Sequence, residues 1–273
     1  MQSRLLIPIL AAFAGGVLGC DQTVTNAPPV NRPSFITHGT LDGDAHPAVV
    51  LVLMEIGGAP ALRCSGTLIA PTVVLTAGHC VGEPGEFSAI RIFTESDVDN
   101  GDNNYPFAGP NSVEATEWHA HPLYTDSEPE LHDVGVVLLS QPVQLSAGQY
   151  GTLPGRDQLD ALHPSRWTVF TTVGYGLQSN KPGHVEAARV RMFAEPHLVQ
   201  INSRNTDDFL LALSDNARTG GACFGDSGGP NYLDSSNVIA AVTQGGNDTC
   251  TGTFDAFRLD RQNVLDFVHQ YVP

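Results

Sequence analysis

What most limits the folds open to this chain is a series of short β-branched runs separated by turn residues: AVVLVLM (48–54), GTLIAPTVVLTA (66–77), DVGVVLLS (133–140), WTVFTTVGYG (167–176) and NVIAAVTQGG (237–246). Val, Ile and Thr at this density suit a pleated, half-buried surface, and the Gly, Pro and Asn between the runs end each one. No helical period of any length intervenes, so alternating strand and helix units are disfavoured and an antiparallel β architecture is predicted. The exception is 261–272, where Val264, Leu265, Val268, Tyr271 and Val272 fall on one helical face and Asp260 is placed as the N-cap. With 41% hydrophobic and 15% charged residues, a chain of 273 residues buries a sizeable core in one large domain or two lobes.

The N-terminus reads as a targeting segment. Arg4 precedes an apolar run over 5–18 that Pro8, Gly15 and Gly16 interrupt. A bilayer span needs about 20 apolar residues, so residues 1–20 are predicted to be a signal peptide. Val17-Leu18-Gly19-Cys20 resembles the bacterial lipobox, which implies a lipid on Cys20, attachment to a membrane surface and a place in the bacterial cell envelope. An ordinary secretory signal is the alternative. Residues 21–35 are polar and proline-bearing, the mark of a tether or propeptide. The 13 Lys and Arg against 29 Asp and Glu give a formal charge of −16, which argues against nucleic acid as a partner.

Three stretches carry chemistry. GDSGGP (225–230) places one acid and one hydroxyl among three glycines, a density that discards side-chain packing and makes sense where bare backbone must approach something closely. TAGHC (76–80) sets His79 directly after the apolar run TVVL. HDVGVVLL opens an apolar strand on Asp133, and an acid that turns inward there needs a hydrogen-bond donor such as an imidazole N–H.

In chain order, CSGTLIAPTVVLTAGHC, HDVGVVLL and CFGDSGGP resemble the trypsin-like (chymotrypsin-fold) serine peptidases, over residues 36 to about 272. The resemblance implies two six-stranded antiparallel β-barrels, the first over about 36–150 and the second over about 151–260. A short C-terminal helix follows over about 261–272, and the active site lies in the cleft between the barrels. It implies His79 as general base, Asp133 as the acid that orients it and Ser227 as nucleophile, with the backbone N–H groups of Gly225 and Ser227 as the oxyanion hole. It implies disulfides Cys64–Cys80 and Cys223–Cys250, which leave Cys20 over from five cysteines.

FITHGTLDGDAHPAVV resembles the family's start motif, with Thr37 and His38 in place of the more common residues. Cleavage after Phe35 would then free the amino group of Ile36 to pair with a buried Asp226, as in a zymogen. The position at the floor of the primary pocket falls on Gly221, with pocket walls near Gly245 and Phe254. Glycine at the floor implies cleavage after an uncharged, apolar or aromatic residue, and Phe254 would narrow the pocket if it turned inward. Gln244 and Thr243 depart from the family's usual aromatic and serine. The expected partners are protein or peptide substrates, the expected state is a monomer, and neither cofactor nor metal is required.

Other readings carry less of the pattern. Asp126 is the nearest rival to Asp133. His119 and His121 in WHAHP could chelate zinc, but a solvated strand edge explains them. TESDVDNGDNN (94–104) is rich in oxygen ligands that could hold calcium, but it fails the EF-hand spacing and reads as a solvated loop. GDSGG also fits the GxSxG pattern of α/β-hydrolases, with His269 and Asp255 or Asp266 following, but the crossover helices of that fold are missing from the sequence. A catalytically silent binding module of the peptidase fold is opposed by the presence of all three triad residues.

Overall fold

The computed structural model describes residues 36–272 except Pro129 and Pro182. The predicted leader, Cys20, the tether and Phe35 lie outside the described residues. After a two-residue strand β1 (Thr40–Leu41), six strands close the first barrel: β2 (Val49–Ile56), β3 (Ala59–Ala70), β4 (Val73–Thr76), β5 (Ala89–Phe93), β6 (Ser112–Ala120) and β7 (Gly135–Leu139). All neighbours are antiparallel, in the order β2-β3-β4-β7-β6-β5, and pairing of β2 with β5 (Leu51 opposite Phe93) completes the ring.

The remaining strands are β8 (Ser165–Gly174), β9 (Ser179–Lys181), β10 (His184–Glu186), β11 (Met192–Ala194), β12 (His197–Ser203), β13 (Asp207–Asp215), β14 (Pro230–Leu233), β15 (Ile239–Gly246) and β16 (Gly252–Arg258). The second barrel runs β8-β12-β13-β16-β15-β14 and closes by pairing of β14 with β8, Asn231 opposite Thr172. β11 adds to the end of β8 and carries β1 on its outer edge, while β9 and β10 form a separate hairpin. The fold is the predicted pair of six-stranded antiparallel barrels with one short helix.

The unbroken apolar run of β2 follows from its position. Successive side chains point to opposite faces of a strand. Val50, Val52 and Met54 fill the first barrel with Leu68, Val74, Ile92 and Val137. Val49, Leu51 and Leu53 point the other way, into a second cluster with Val173, Tyr175, Val242 and Phe257 of the second barrel. A strand buried on both faces cannot alternate with polar residues. The second barrel has its own core, built on Phe170, Leu198, Leu211, Leu213, Ala240 and Phe254. A buried guanidinium fastens the two halves: Arg191 Nε donates to Asp42 Oδ2 at 2.9 Å and Nη1 to the carbonyl of Val49 at 2.9 Å.

The helix α1 (Gln262–Val268) buries Val264, Leu265, Phe267 and Val268. Asp260 is not its cap: Arg261 holds that position and makes no side-chain cap bond. The carboxylate of Asp260 is taken instead by Arg258, through Nε at 2.9 Å and Nη2 at 2.8 Å, and by the backbone N–H of Leu159 at 2.8 Å. A buried charge-assisted fork outcompetes a capping bond that water can replace.

Candidate active site

β4 is buried throughout and delivers the chain into a single 3-10 turn, Gly78–Cys80, from which His79 projects. Gly78 is required there, because a Cβ would sit 2.8 Å from the ring of Tyr124. The Cys64–Cys80 disulfide ties the turn to β3, and Cys223–Cys250 ties the Ser227 segment to the start of β16. Closing a loop of this length is worth about 3 kcal/mol in the chain-entropy model.

Asp133 enters from the connection between β6 and β7 and is fully buried. Its Oδ1 accepts the backbone N–H of His79 at 2.9 Å, and its two oxygens lie 3.1 and 3.0 Å from His79 Nδ1. A carboxylate only accepts, so Nδ1 carries the proton and Nε2 is left with its lone pair free. Burial opposes the imidazolium, but the charge and hydrogen bond of Asp133 outweigh it and hold the His79 pKa above its ordinary value. Asp126 adds a smaller pull in the same direction from a distance, with its carboxylate bound to Tyr124 OH at 3.1 Å.

The Ser227 segment lies against the strand end that carries His79. The backbone N–H of Ser65, on β3, donates to the carbonyl of Ser227 at 2.8 Å, and Thr76 Oγ1 donates to the carbonyl of Ser65 at 2.8 Å. Gly228 is packed so tightly that a Cβ would meet Thr76 Oγ1 at 2.0 Å and the N of Ala77 at 2.7 Å. Gly225 has φ +99, a backbone region that L side chains avoid. Among the described residues, neither the N–H of Gly225 nor that of Ser227 donates to a protein acceptor.

Beside Ser227 lies a cavity of about 180 Å³, lined by residues 222–224 and 243–247 with Ser227 and Cys250. No lining residue carries a charge. Of the three positions expected to shape a pocket, Gly245 is among the lining residues, whereas Gly221 and Phe254 stand outside it. Phe254 is 1% exposed, its ring held in the core of the second barrel by the inward register of β16. Gly221 backs onto the carboxylate of Asp215: a Cβ there would fall 2.3 Å from Asp215 Cγ. Thr243 Oγ1 accepts from Asn231 Nδ2 at 3.1 Å, while the Thr243 backbone pairs with Gly228 and Gly229.

Asp226 is fully buried, and its oxygens accept the N–H of Gly176 at 2.8 Å and of Cys223 at 2.9 Å. Glycines clear its path, since a Cβ at Gly174 or Gly176 would reach its oxygens at 2.2 and 2.4 Å. Burial pushes its pKa up to about 7 against those two donors and the more distant Arg63. Ile36 is also fully buried, against Met192, Ala194 and Val190. The next residue, Thr37, donates from Oγ1 to Asp215 Oδ1 at 2.7 Å and accepts the N–H of Gly221 at 3.2 Å. The other oxygen of Asp215 is buried with no partner, and burial raises this group to about 6 despite the Thr37 hydroxyl.

The remaining candidates have local partners. His119 lies 3.1 Å from Glu117 and stacks on Tyr271, and His121 stacks on His132. In the 94–104 loop, Glu95 accepts from Asp102 N–H, Asn103 and Asn111, while Asp99 pairs with Arg189 at 2.6 Å. Cys64, Cys80 and His79 cluster closely enough to suggest a metal, but the two sulfurs are bonded to each other. Asp215 and Arg63 had no signal in the sequence, because neither lies in a motif.

The family model described as Trypsin matches residues 40–267, most of the chain and both barrels. The chain belongs to the trypsin family. Serine protease Hayan of Drosophila melanogaster is 25% identical over 244 residues, covering 78% of this chain and 37% of that protein. Venom serine protease Bi-VSP of Bombus ignitus is 28% identical over 184 residues, covering 64% of this chain and 49% of its own length. The chain therefore spans half or less of these curated relatives. Among solved structures, HL collagenase superposes with a TM-score of 0.66 at 18% identity, covering 85% of this chain and 96% of that one, a likeness of fold.

Proposed function

We propose that this member of the trypsin family is a serine endopeptidase that works through His79, Asp133 and Ser227. The observation that carries the reading is the grip of buried Asp133 on His79 Nδ1, which presents an unprotonated Nε2 on the turn packed against the Ser227 segment. A serine hydroxyl is a poor nucleophile at neutral pH. His79 accepts its proton as Oγ attacks the scissile carbonyl, then returns that proton to the leaving amine, and water repeats the cycle on the acyl-enzyme. Asp133 keeps the ring in the productive tautomer and stabilises the imidazolium. The unengaged N–H groups of Gly225 and Ser227 supply the oxyanion donors, each worth about 2.7–4 kcal/mol of transition-state stabilisation. No cofactor takes part in this sequence of steps.

The uncharged lining of the cavity, with Gly245 in its wall, favours an apolar or aromatic side chain before the scissile bond. An extended substrate segment pairs with strand edges in such a cleft, so the substrates are unfolded or loop segments of proteins. Two disulfides fit an exported protein. The sequence of residues 1–20 further suggests a lipid anchor on Cys20, and the chain acts as a monomer released from a zymogen by cleavage before Ile36.

A fluorophosphonate probe tests the chemistry. It should label the protein at Ser227 alone, with labelling abolished in Ser227→Ala and strongly slowed in His79→Ala, alongside turnover of peptide amides. A protein that hydrolyses esters but no peptide, or labels at another serine, would refute the reading.

A further inference from the structure

Arg63 is an unpaired guanidinium beside the oxyanion backbone. It sits on β3 directly before Cys64, and its Nε lies 3.3 Å from where a Cβ on Gly225 would be. Its one hydrogen bond among the described residues is a long one, Nη1 to the carbonyl of Ala187 at 3.4 Å. The neighbouring Arg189 has Asp99 at 2.6 Å and the ring of Tyr105 beneath it, whereas among the described residues no carboxylate lies within ion-pair distance of Arg63. Leaving a half-buried cation unpaired is unusual in a chain with formal charge −16, where acids outnumber bases by more than two to one. Partial burial pulls the Arg63 pKa down and the like charge of Arg189 adds to this, against Tyr105, Asp226 and Asp99, so a carboxylate arriving there gains a strong partner.

The position of Arg63 relative to the reaction follows from the proposed mechanism, on which this inference rests. The substrate side chain before the scissile bond occupies the cavity on the 222–224 and 243–247 side of Ser227. The leaving amine must receive its proton from His79, so it departs on the His79 side. That side is walled by the Cys64–Cys80 disulfide and by β3, which is bound along the serine segment through Ser65 N–H to Ser227 and Ser65 Oγ to Gly225 O at 3.0 Å. Arg63 is the cation on this wall.

We propose that Arg63 is the receptor for an acidic side chain in the leaving-group segment, one or two residues after the scissile bond. The enzyme then reads its substrate at two places, by apolar fit before the cut and by charge after it. The overall negative charge of the protein repels acidic peptides at long range, so the preference belongs to this position and not to the surface as a whole.

Internally quenched peptides that differ only in Glu, Gln or Lys at the first or second residue after the cut test this, with a small anilide of the same acyl sequence as denominator. The active wild-type protein should favour Glu over Lys by about tenfold in kcat/KM at low salt, with the ratio falling as salt rises. Arg63→Gln should bring the ratio near one, and Arg63→Glu should invert it, an outcome that loss of a merely structural contact cannot produce. Equal turnover of Glu and Lys peptides by the wild type, or an unchanged ratio in both variants, overturns the proposal while leaving the peptidase reading intact. Failure of every peptide and of the anilide overturns the peptidase reading and this inference with it.

Discussion

Asp133 and Asp226 are both fully buried carboxylates, one serving the histidine half of the site and the other the serine half, yet their surroundings differ in kind. Asp133 faces a group that can become a cation: it takes the N–H and the Nδ1–H of His79 and raises the pKa of that ring. Among the described residues, Asp226 has two backbone N–H donors and no cation in contact, and burial leaves it at about 7. A buried carboxylate without a cation is costly, and the proposed activation reads the difference as a finished first half and a second half that awaits a charge. On the proposed activation, Ile36, buried one residue before the Thr37 contact to Asp215, would supply that charge once its amino group is freed.

The largest expected effect comes from spoiling the finished half. Asp133→Asn keeps the shape but offers an N–H where His79 needs an acceptor, which turns the ring to the wrong tautomer. Turnover should fall by about 10⁴-fold, with little change in KM. Because Asp133 is what lifts the His79 pKa, the acidic limb of the residual pH–rate profile should move to lower pH. A variant that keeps more than a tenth of wild-type turnover would show that His79 is oriented by something else.

The unfinished half predicts a smaller, conditional effect. In the uncut chain the folded pKa of Asp226 lies well above the ordinary 3.8, so the folded state holds the proton more tightly. Stability should therefore decline as pH rises from about 4 to about 7. On the proposed activation, the α-ammonium freed by cleavage before Ile36 pairs with Asp226 and lowers this pKa, so the cut protein should lose less stability across the same window. Asp226→Asn should remove the difference between cut and uncut forms and cost about 10²–10³-fold in turnover, the value of one oxyanion donor. Urea midpoints at pH 4.5 and pH 8 for both forms measure it, and parallel pH curves for cut and uncut wild type would remove the α-ammonium from the account.

The two halves were also unequally legible in the sequence. The barrels show in the β-branched runs because a strand buried on both faces, such as β2, must be apolar throughout. The proposed catalytic residues show because their neighbours are constrained: Gly78 by the Tyr124 ring, Gly225 by its positive φ, Gly228 by Thr76. Charges that meet across long stretches of chain leave no such trace. Asp260 looked like a helix cap until Arg258 and the N–H of Leu159 claimed it, and Asp215 and Arg63 look like ordinary surface residues of their strands. Phe254 illustrates the same limit, since a one-residue change of register on β16 decides between core and pocket.

Asp215 gives the smallest and most local test of how the two halves communicate. Its carboxylate fills the space behind Gly221, takes the hydroxyl of Thr37 on one oxygen and leaves the other unpaired, so it joins the start of the domain to the chain that continues into the pocket wall. Burial lifts it to about 6, which means that the folded state favours the protonated acid and that ionising it above that pH costs stability, because the buried charge is desolvated. The sign is the same as for uncut Asp226: stability present near pH 4 is lost as pH rises through 6. Asp215→Asn cannot ionise, so its stability curve between pH 4 and pH 7 should be flatter than that of the wild type in the same cleavage state, by about 2–3 kcal/mol for a shift of this size. Thr37→Val removes the one donor that favours the carboxylate and should steepen the wild-type decline. If the pH dependence of Asp215→Asn superimposes on that of the wild type, the carboxylate titrates as a solvated one and the contact behind Gly221 carries no signal between the two halves.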